Sequence, residues 1–303
     1  MESKAQDEAL AEFLKVRRRL FGIGYRMLGS AAEAEDIVQD VWLRWQAADR
    51  SAVLDPAAFL ATSVTRLAIN YSQSARSRRE MYVGPWLPEP VDTSADPHLG
   101  AERGEALESA VLLLLEKLSP TERAAYILRE ALDYSYRHIA EILELEEANA
   151  RQLVTRARQH VSDGRRTRVT SGEQRRLLEA FMAAAQEGDL AALKNLFAAD
   201  VVSYSDGGGA VRTAARAPIS GSERVAKFIA SFASHFWTGV ALTGVDTNGQ
   251  RSVLISRNGD PVAHVAIDAS AEGIEQIMWI LRPSKLTAVA KASQARIANI
   301  EES

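Results

Sequence analysis

The sequence predicts a multidomain protein in which two all-α domains precede an α+β domain. Three observations carry this. Apolar residues recur at helical spacing from Leu10 to Val161. Met81–Pro97, MYVGPWLPEPVDTSADP, interrupts that pattern with four prolines and a glycine and cannot be a helix interior. Beyond Asp200, segments rich in Val, Ile and aromatics alternate with hairpin-turn residues, Thr247-Asn248-Gly249 and Asn258-Gly259-Asp260.

Residues 8–28 form the first expected helix, with Leu10, Phe13, Leu14, Leu20, Phe21 and Met27 apolar and a stop at Gly29-Ser30. The second covers 31–48, with Ser30 as N-cap and Glu33 completing a capping box. Ile37, Val38, Val41, Trp42 and Trp45 form its core side, and Glu35, Asp36 and Asp40 lie partly opposite. Asp55-Pro56, a cap followed by proline at the first helical position, opens a third helix that ends among Arg76, Arg78 and Arg79. Residues 81–101 read as an acidic linker (Glu89, Asp92, Asp96). Helices resume at Glu102–Leu118, and Ser119-Pro120-Thr121-Glu122 starts another.

Tyr134–Val161 then holds two short amphipathic helices around a turn. Ile139, Ala140 and Leu143 make the apolar face of the first, Leu145 falls in the turn, and Ala150, Val154, Ala157 and Val161 make that of the second. Opposite that stripe stand Ala148, Gln152, Thr155 and Gln159, flanked by Arg151, Arg156 and Arg158. Amides between arginines suit a major groove, because Gln bonds base edges and Arg holds phosphates. The spacing fits a DNA-binding helix-turn-helix. It equally fits an ordinary helical hairpin with a solvated basic face.

After a polar joint at 165–172, Glu173–Glu187, Asp189–Phe197 and SERVAKFIASFASHF read as helices, and VVSYS, GVALTGV, SVLISR, PVAHVAIDA and IEQIMWILR as strands. Residues 287–303 read as a frayed or helical tail.

Composition narrows the function. The chain of 303 residues has no Cys and five scattered His, which excludes disulfides and cysteine zinc sites and leaves no paired metal spacing. The absence of a long apolar run or signal-peptide pattern predicts a cytoplasmic protein without membrane contact. The net charge of −4 conceals basic clusters at 17–19, 76–79 and 151–168, and acidic ones at 33–40, 141–147 and 89–96. Such alternation permits contact with both nucleic acid and a basic protein.

Two segments carry a resemblance. AEDIVQDVWLRW (Ala34–Trp45) resembles the core-binding segment of sigma factors, and SYRHIAEILELEEANARQLVTRAR (Ser135–Arg158) resembles their promoter-binding helix-turn-helix. Their order and spacing match the extracytoplasmic-function (ECF) subfamily, which keeps only the second and fourth sigma domains. YVGPWLPEP, Asp206-Gly207-Gly208-Gly209 and Arg282-Pro283-Ser284-Lys285-Leu286 resemble the group of these factors that carries a SnoaL-like extension. The chain departs from that pattern at Glu144 and Glu146, where the turn usually holds Gly and a Ser or Thr cap. It departs again at Ala210, where the group has Lys, and at Arg282 and Ser284, where it tends to have Asn and Asp.

The resemblance implies sigma domain 2 over 1–80, the linker over 81–101, sigma domain 4 over 102–165, and a SnoaL-like regulatory cone with a curved antiparallel sheet over 173–286. It implies an alternative sigma factor whose partners are core RNA polymerase, through its β′ clamp and β flap, and promoter DNA. No cofactor, metal or catalytic residue is expected. Glu35, Asp36, Gln39, Asp40 and Arg44 would bind core polymerase; as plain chemistry they also make an ordinary solvated helix face. Arg66, Asn70, Tyr71, Arg76, Arg78 and Arg79 would take the −10 element, with a pocket for a flipped base and a clamp for the strand. Arg151, Gln152, Thr155, Arg156 and Arg158 would take the −35 element. Asp206–Gly209 is a glycine turn in any case; with Arg282, Pro283, Lys285 and Leu286 it would contact the sigma domains or linker and regulate them. Two further readings stay open: a stand-alone helix-turn-helix repressor, or a ligand-binding or cyclase enzyme using Tyr204, Asp206 and His264 beside a cavity lined by Trp237 and Trp279.

Overall fold

A computed structural model describes residues 2–94, 108–164 and 166–301, with the backbone alone at 2–5, 76–78, 80 and 297–301. The expected boundaries between 95 and 107, the acid Asp96 and the first turns of the helix expected at Glu102 lie outside the described residues. The chain divides into two compact units. The first contains the helices of residues 2–80 and 111–164; the second contains residues 81–94, 108–110 and 166–301.

In the first unit α1 (Glu2–Leu28), α2 (Ala31–Ala47) and α3 (Pro56–Glu80) pack on one another. Ser30 caps α2 by accepting from the Glu33 N–H at 3.3 Å, and Asp55 caps α3 by accepting from Ala58 at 3.0 Å. Leu20, Ile23, Ile37, Val41, Leu60 and Val64 are buried between them, as the helical spacing requires. Trp45 belongs to this core and donates its indole N–H to the Ala9 carbonyl at 3.0 Å. Trp42 is only half-buried, its ring 4.9 Å from that of Phe13.

The rest of this unit is α4 (Ser109–Leu115) from Val111 on, α5 (Pro120–Tyr126), α6 (Tyr136–Leu143) and α7 (Glu147–Asp163). Ser119 and Glu122 form the full capping box that the sequence indicates. One π-helical turn, Ile127–Ala131, carries the chain out of α5. Ile139, Ala140, Ile142, Ala150 and Val154 make a core with Ala125 and Leu128. Ile142 takes the buried place that the spacing assigns to Leu143, which packs on the edge of this core.

In the second unit α8 (Ser171–Glu187) and α9 (Leu190–Leu196) lead into a six-stranded open sheet: β1 (Phe197–Asp206), β2 (Ile219–Ser220), β3 (Val240–Thr247), β4 (Gln250–Arg257), β5 (Asp260–Ser270) and β6 (Gly273–Ile280). The order is β2-β1-β6-β5-β4-β3. The sheet is not antiparallel throughout: β1 and β6 pair in parallel, Ser205 opposite Trp279 and Asp206 opposite Ile280. Parallel neighbours need a long crossover, and α10 (Ser222–Ala230) with the antiparallel strands supplies it. Phe197 starts β1 rather than ending the helix before it, and the helix that the sequence extends to Phe236 ends at Ala230. The tail is helical and starts earlier than expected: Pro283–Glu301 is a helix, α11, and Leu286, Val289 and Ala290 are buried, the last two with Val245 and Leu254 of the sheet.

Candidate DNA-binding faces and the carboxylate that holds the linker

The core-binding candidates form one face of α2. Glu35, Asp36, Gln39 and Arg44 are exposed and Asp40 half-exposed, while Ala34, Ile37, Val38 and Val41 turn inward. Glu35 pairs with Arg17 at 2.6 Å. Among the −10 candidates Tyr71 turns toward that same face: its hydroxyl lies 3.4 Å from the Asp40 carboxylate, whose charge pushes the phenol pKa up. Asn70 is exposed. The side chains of Arg76 and Arg78 lie outside the described residues. Arg79 is engaged by the Glu116 carboxylate and the Leu28 carbonyl.

Arg66 is engaged as well. Its guanidinium donates to the Ile142 carbonyl at 3.0 Å and pairs with Glu144 at 2.9 Å. Helix ends leave carbonyls without internal partners, and a cation there also suits the helix dipole. The helix end in question is that of α6, so one −10 candidate is bonded to the turn of the helix-turn-helix. Glu144 itself sits in the left-handed region, φ 55° and ψ 49°, and its N–H closes the helix on Ala140. This is the conformation a glycine usually takes at that place. Glu146 does not cap α7 with its side chain; its extra methylene makes it a poor substitute for Ser or Asp. We therefore expect Glu144→Gly to raise the stability of the first unit by about 0.5–1 kcal/mol in urea titration. Relief of left-handed strain exceeds the loss of an exposed ion pair.

On α7, Arg151, Gln152, Thr155, Arg156 and Arg158 are all exposed and the apolar stripe is buried. Three of the arginines have carboxylate partners. Arg151 pairs with Glu147 at 2.9 Å and stacks on Tyr136, Arg156 pairs with Glu122 at 3.4 Å, and Arg158 reaches Glu130 with two nitrogens at 2.6 and 2.9 Å. Thr155 returns its hydroxyl proton to the Arg151 carbonyl.

The second unit has its own centre at Asp206, the last residue of β1 and fully buried. Its carboxylate accepts the Leu87 N–H at 2.9 Å, the Tyr82 hydroxyl, and the Lys285 ammonium at 2.7 Å. Burial, followed by the hydrogen bond to Asp206, pushes the Tyr82 pKa up to about 12, so this phenol stays a donor. Lys285 also donates to the Leu87 carbonyl and lies 4.3 Å from the Trp86 ring. The segment read as a linker is thus fastened to the extension, and Leu87, Pro88, Glu89 and Pro90 are buried. Farther along, Val91 and Asn248 exchange hydrogen bonds at 2.9 Å, and Thr93 bonds the Asp246 carbonyl of edge strand β3.

The glycine turn serves this contact as well as the bend. Gly208 has φ +56°, and a Cβ there would lie 2.8 Å from Arg282 Cδ and from the Tyr82 hydroxyl oxygen. Arg282 lies over the Tyr82 ring at 5.4 Å. Ala210 is exposed. Sequence reasoning did not single out Tyr82 and Leu87; the available signal was an aromatic-proline segment in a chain that also carries Asp206 and Lys285 in its two extension motifs.

The acid–base candidates do not converge on a cavity. Side chains alternate along a strand, so Ser205 and Trp279 face one side of the sheet and Tyr204, Asp206 and His264 the other. His264 is bonded to Thr247 at 2.9 Å and Ser252 at 3.0 Å, and burial pushes its pKa down to about 3. An imidazole that stays neutral and is already bonded is a structural group here, not a general base.

Helical domains of this kind, one ending in a helix-turn-helix, define the class of sigma-70-type initiation factors. Residues 13–78 match the family described as Sigma-70 region 2, and residues 108–161 that described as Sigma-70, region 4. The chain is 37% identical over 238 residues to the ECF RNA polymerase sigma factor SigJ of Mycobacterium tuberculosis, spanning 76% of this chain and 75% of that one. It is 28% identical over 284 residues to the probable ECF RNA polymerase sigma factor SigI of the same species, spanning 92% and 95%. The crystal structure of SigJ superposes with a TM-score of 0.73 at 30% identity, over 92% of this chain and 98% of that one. The chain belongs to the ECF sigma factors of the sigma-70 family and acts as an alternative sigma factor, binding core RNA polymerase and promoter DNA. Among the described residues no helix is long and apolar enough to cross a membrane.

Proposed function

We propose that this sigma factor controls promoter recognition through its own extension, by holding the segment that joins its two DNA-binding regions. The observation that carries the reading is the Asp206 carboxylate, which bonds Tyr82, Leu87 and Lys285 at once. The extension thereby fixes the path of residues 82–93, and with it the reach available between a −10-binding and a −35-binding domain. Sigma domain 2 spans 1–80, sigma domain 4 spans 102–165, and 173–286 is the regulator. Glu35, Asp36, Gln39, Asp40 and Arg44 dock on the β′ clamp, and domain 4 meets the β flap. Arg66, Asn70, Tyr71, Arg76, Arg78 and Arg79 take the −10 element and Arg151, Gln152, Thr155, Arg156 and Arg158 the −35 element. The Arg66–Glu144 ion pair supports a resting state in which that arginine must leave the helix-turn-helix before it can reach DNA.

The test is a pull-down of core polymerase with the full chain, followed by run-off transcription. Asp36→Lys is exposed and should not affect folding, and it should weaken co-purification by about tenfold. Wild-type retention by this variant would remove α2 from the docking face. A chain that binds promoter DNA without core polymerase would favour the repressor reading.

A further inference from the structure

The turns that follow β1 carry a second feature that promoter recognition does not use. Between Asp206 and Glu223 the sequence has two arginines, Arg212 and Arg216, and no acid. Those turns and Val83 of the linker line a cavity of about 60 Å³, whose walls include Ser205, Gly209, Arg212, Ala215 and Arg216. A recess of that size holds more than one water and therefore a compact ion. Among the described residues no carboxylate lines it. Elsewhere in this unit arginines find acids: Arg166 pairs with Asp200, Arg168 with Asp268 and Arg251 with Asp246. Arg212 and Arg216 are exposed, and neither has a hydrogen bond, ion pair or ring contact among the described residues. The backbone adds donors. The N–H groups of Ala210 and Val211 close on the Gly207 carbonyl, and that of Ala214 on the Val211 carbonyl. Those of Gly209, Arg212, Ala215 and Arg216 have no acceptor among the described residues. Cationic side chains and unpaired N–H groups with nothing negative among them are the makings of an anion site.

We propose that this recess binds a small oxyanion of phosphate size, with Arg212 and Arg216 as its counter-charge and the N–H groups of the turns as further donors. Guanidinium suits the task because its planar fork bonds two oxygens at once. The occupant is a free anion rather than a nucleic-acid backbone. Gly209 stands against Val83, where a Cβ would come within 3.3 Å of the valine Cβ, so the recess is a slot between two chain segments. A duplex buries far broader surfaces. Val83 lies between Tyr82 and Leu87, which Asp206 holds, and an occupant therefore lies against the linker. The site itself stands whether or not the extension controls that segment.

Calorimetric titration of the full chain with inorganic phosphate, at constant ionic strength, tests this. Phosphate should bind saturably at one site with a Kd of about 1 mM, the affinity that two charge-assisted hydrogen bonds supply. Arg212→Gln and Arg216→Gln should each weaken binding about tenfold, and the double variant should give no saturable heat up to about 50 mM. Both side chains are exposed and unpaired, so these variants should fold. Arg175→Gln removes an equally exposed and unpaired arginine of α8 that does not line the recess, and should bind phosphate like the wild type. No saturable heat in the wild type up to about 50 mM, wild-type affinity in the double variant, or equal weakening by Arg175→Gln would each overturn the assignment. So would loss of holoenzyme affinity for promoter DNA in the double variant when the wild type binds no phosphate, which would give the two arginines to the DNA backbone instead.

Discussion

Asp206→Ala should destabilise the second unit by about 3–5 kcal/mol, measured as the loss in urea-unfolding free energy of the full chain's C-terminal transition. The carboxylate is fully buried, and its removal takes the 2.7 Å ion pair from the Lys285 ammonium, itself only 8% exposed, and the shared acceptor from Tyr82 and Leu87. Removing one partner of a buried ion pair costs more than the pair itself contributed. The double variant Asp206→Ala/Lys285→Met should therefore recover much of the loss, because it removes the buried ammonium together with its partner and keeps an aliphatic stem in place. Limited proteolysis within residues 81–94 should quicken in the single variant, and run-off transcription should change with it. A loss below about 1 kcal/mol, with proteolysis unchanged, would mean that the linker is held by apolar contacts of Leu87 and the prolines alone.

Gln152→Ala should cost about 1–3 kcal/mol of promoter affinity, and only on promoters that carry the base it reads. Gln152 is exposed near the middle of α7 and opposite the buried stripe of Ala150, Val154, Ala157 and Val161. Arg158→Ala should instead lower affinity on every sequence and reduce the salt slope by about 1. Arg158 reaches DNA only by giving up its two bonds to Glu130. Glu130→Gln should thus strengthen binding uniformly. Anisotropy titrations of holoenzyme on promoter variants at several salt concentrations separate these outcomes. Equal effects of Gln152→Ala and Arg158→Ala on all variants would contradict the division into base reading and phosphate holding.

Much of this was open to sequence reasoning because it is local. Helical spacing placed the buried stripes of α2 and α7, and cap residues placed the starts of α2, α3 and α5, since a helix end is decided by the few residues around it. Glycines and asparagines placed the hairpins, Asn248 and Asn258 both taking positive φ. The departure at Glu144 was also legible, but its outcome was not: in place of a looser or differently wound turn, the glycine-like left-handed conformation is kept. What local reasoning reaches least is which partner a side chain meets across many residues of chain. The parallel pairing of β1 with β6 joins segments some 70 residues apart, and nothing in either strand announces it.

The candidate sites divide along the same line. The sequence by itself determined that the chain has an acidic helix face, a basic recognition helix, a proline-rich joint and a glycine turn, because residue type and spacing suffice for each. Only the tertiary structure decided that the joint is bound rather than free. Proline and glycine content forbids a helix but does not say whether an irregular segment is solvated or buried. Burying it required acceptors and donors for its backbone, and these come from Asp206, Lys285 and Asn248, residues 119 to 198 positions away. Tertiary structure also decided that Asp206 anchors the linker instead of serving as an acid or base, since strand alternation turns it away from the Trp237–Trp279 cavity and toward Lys285.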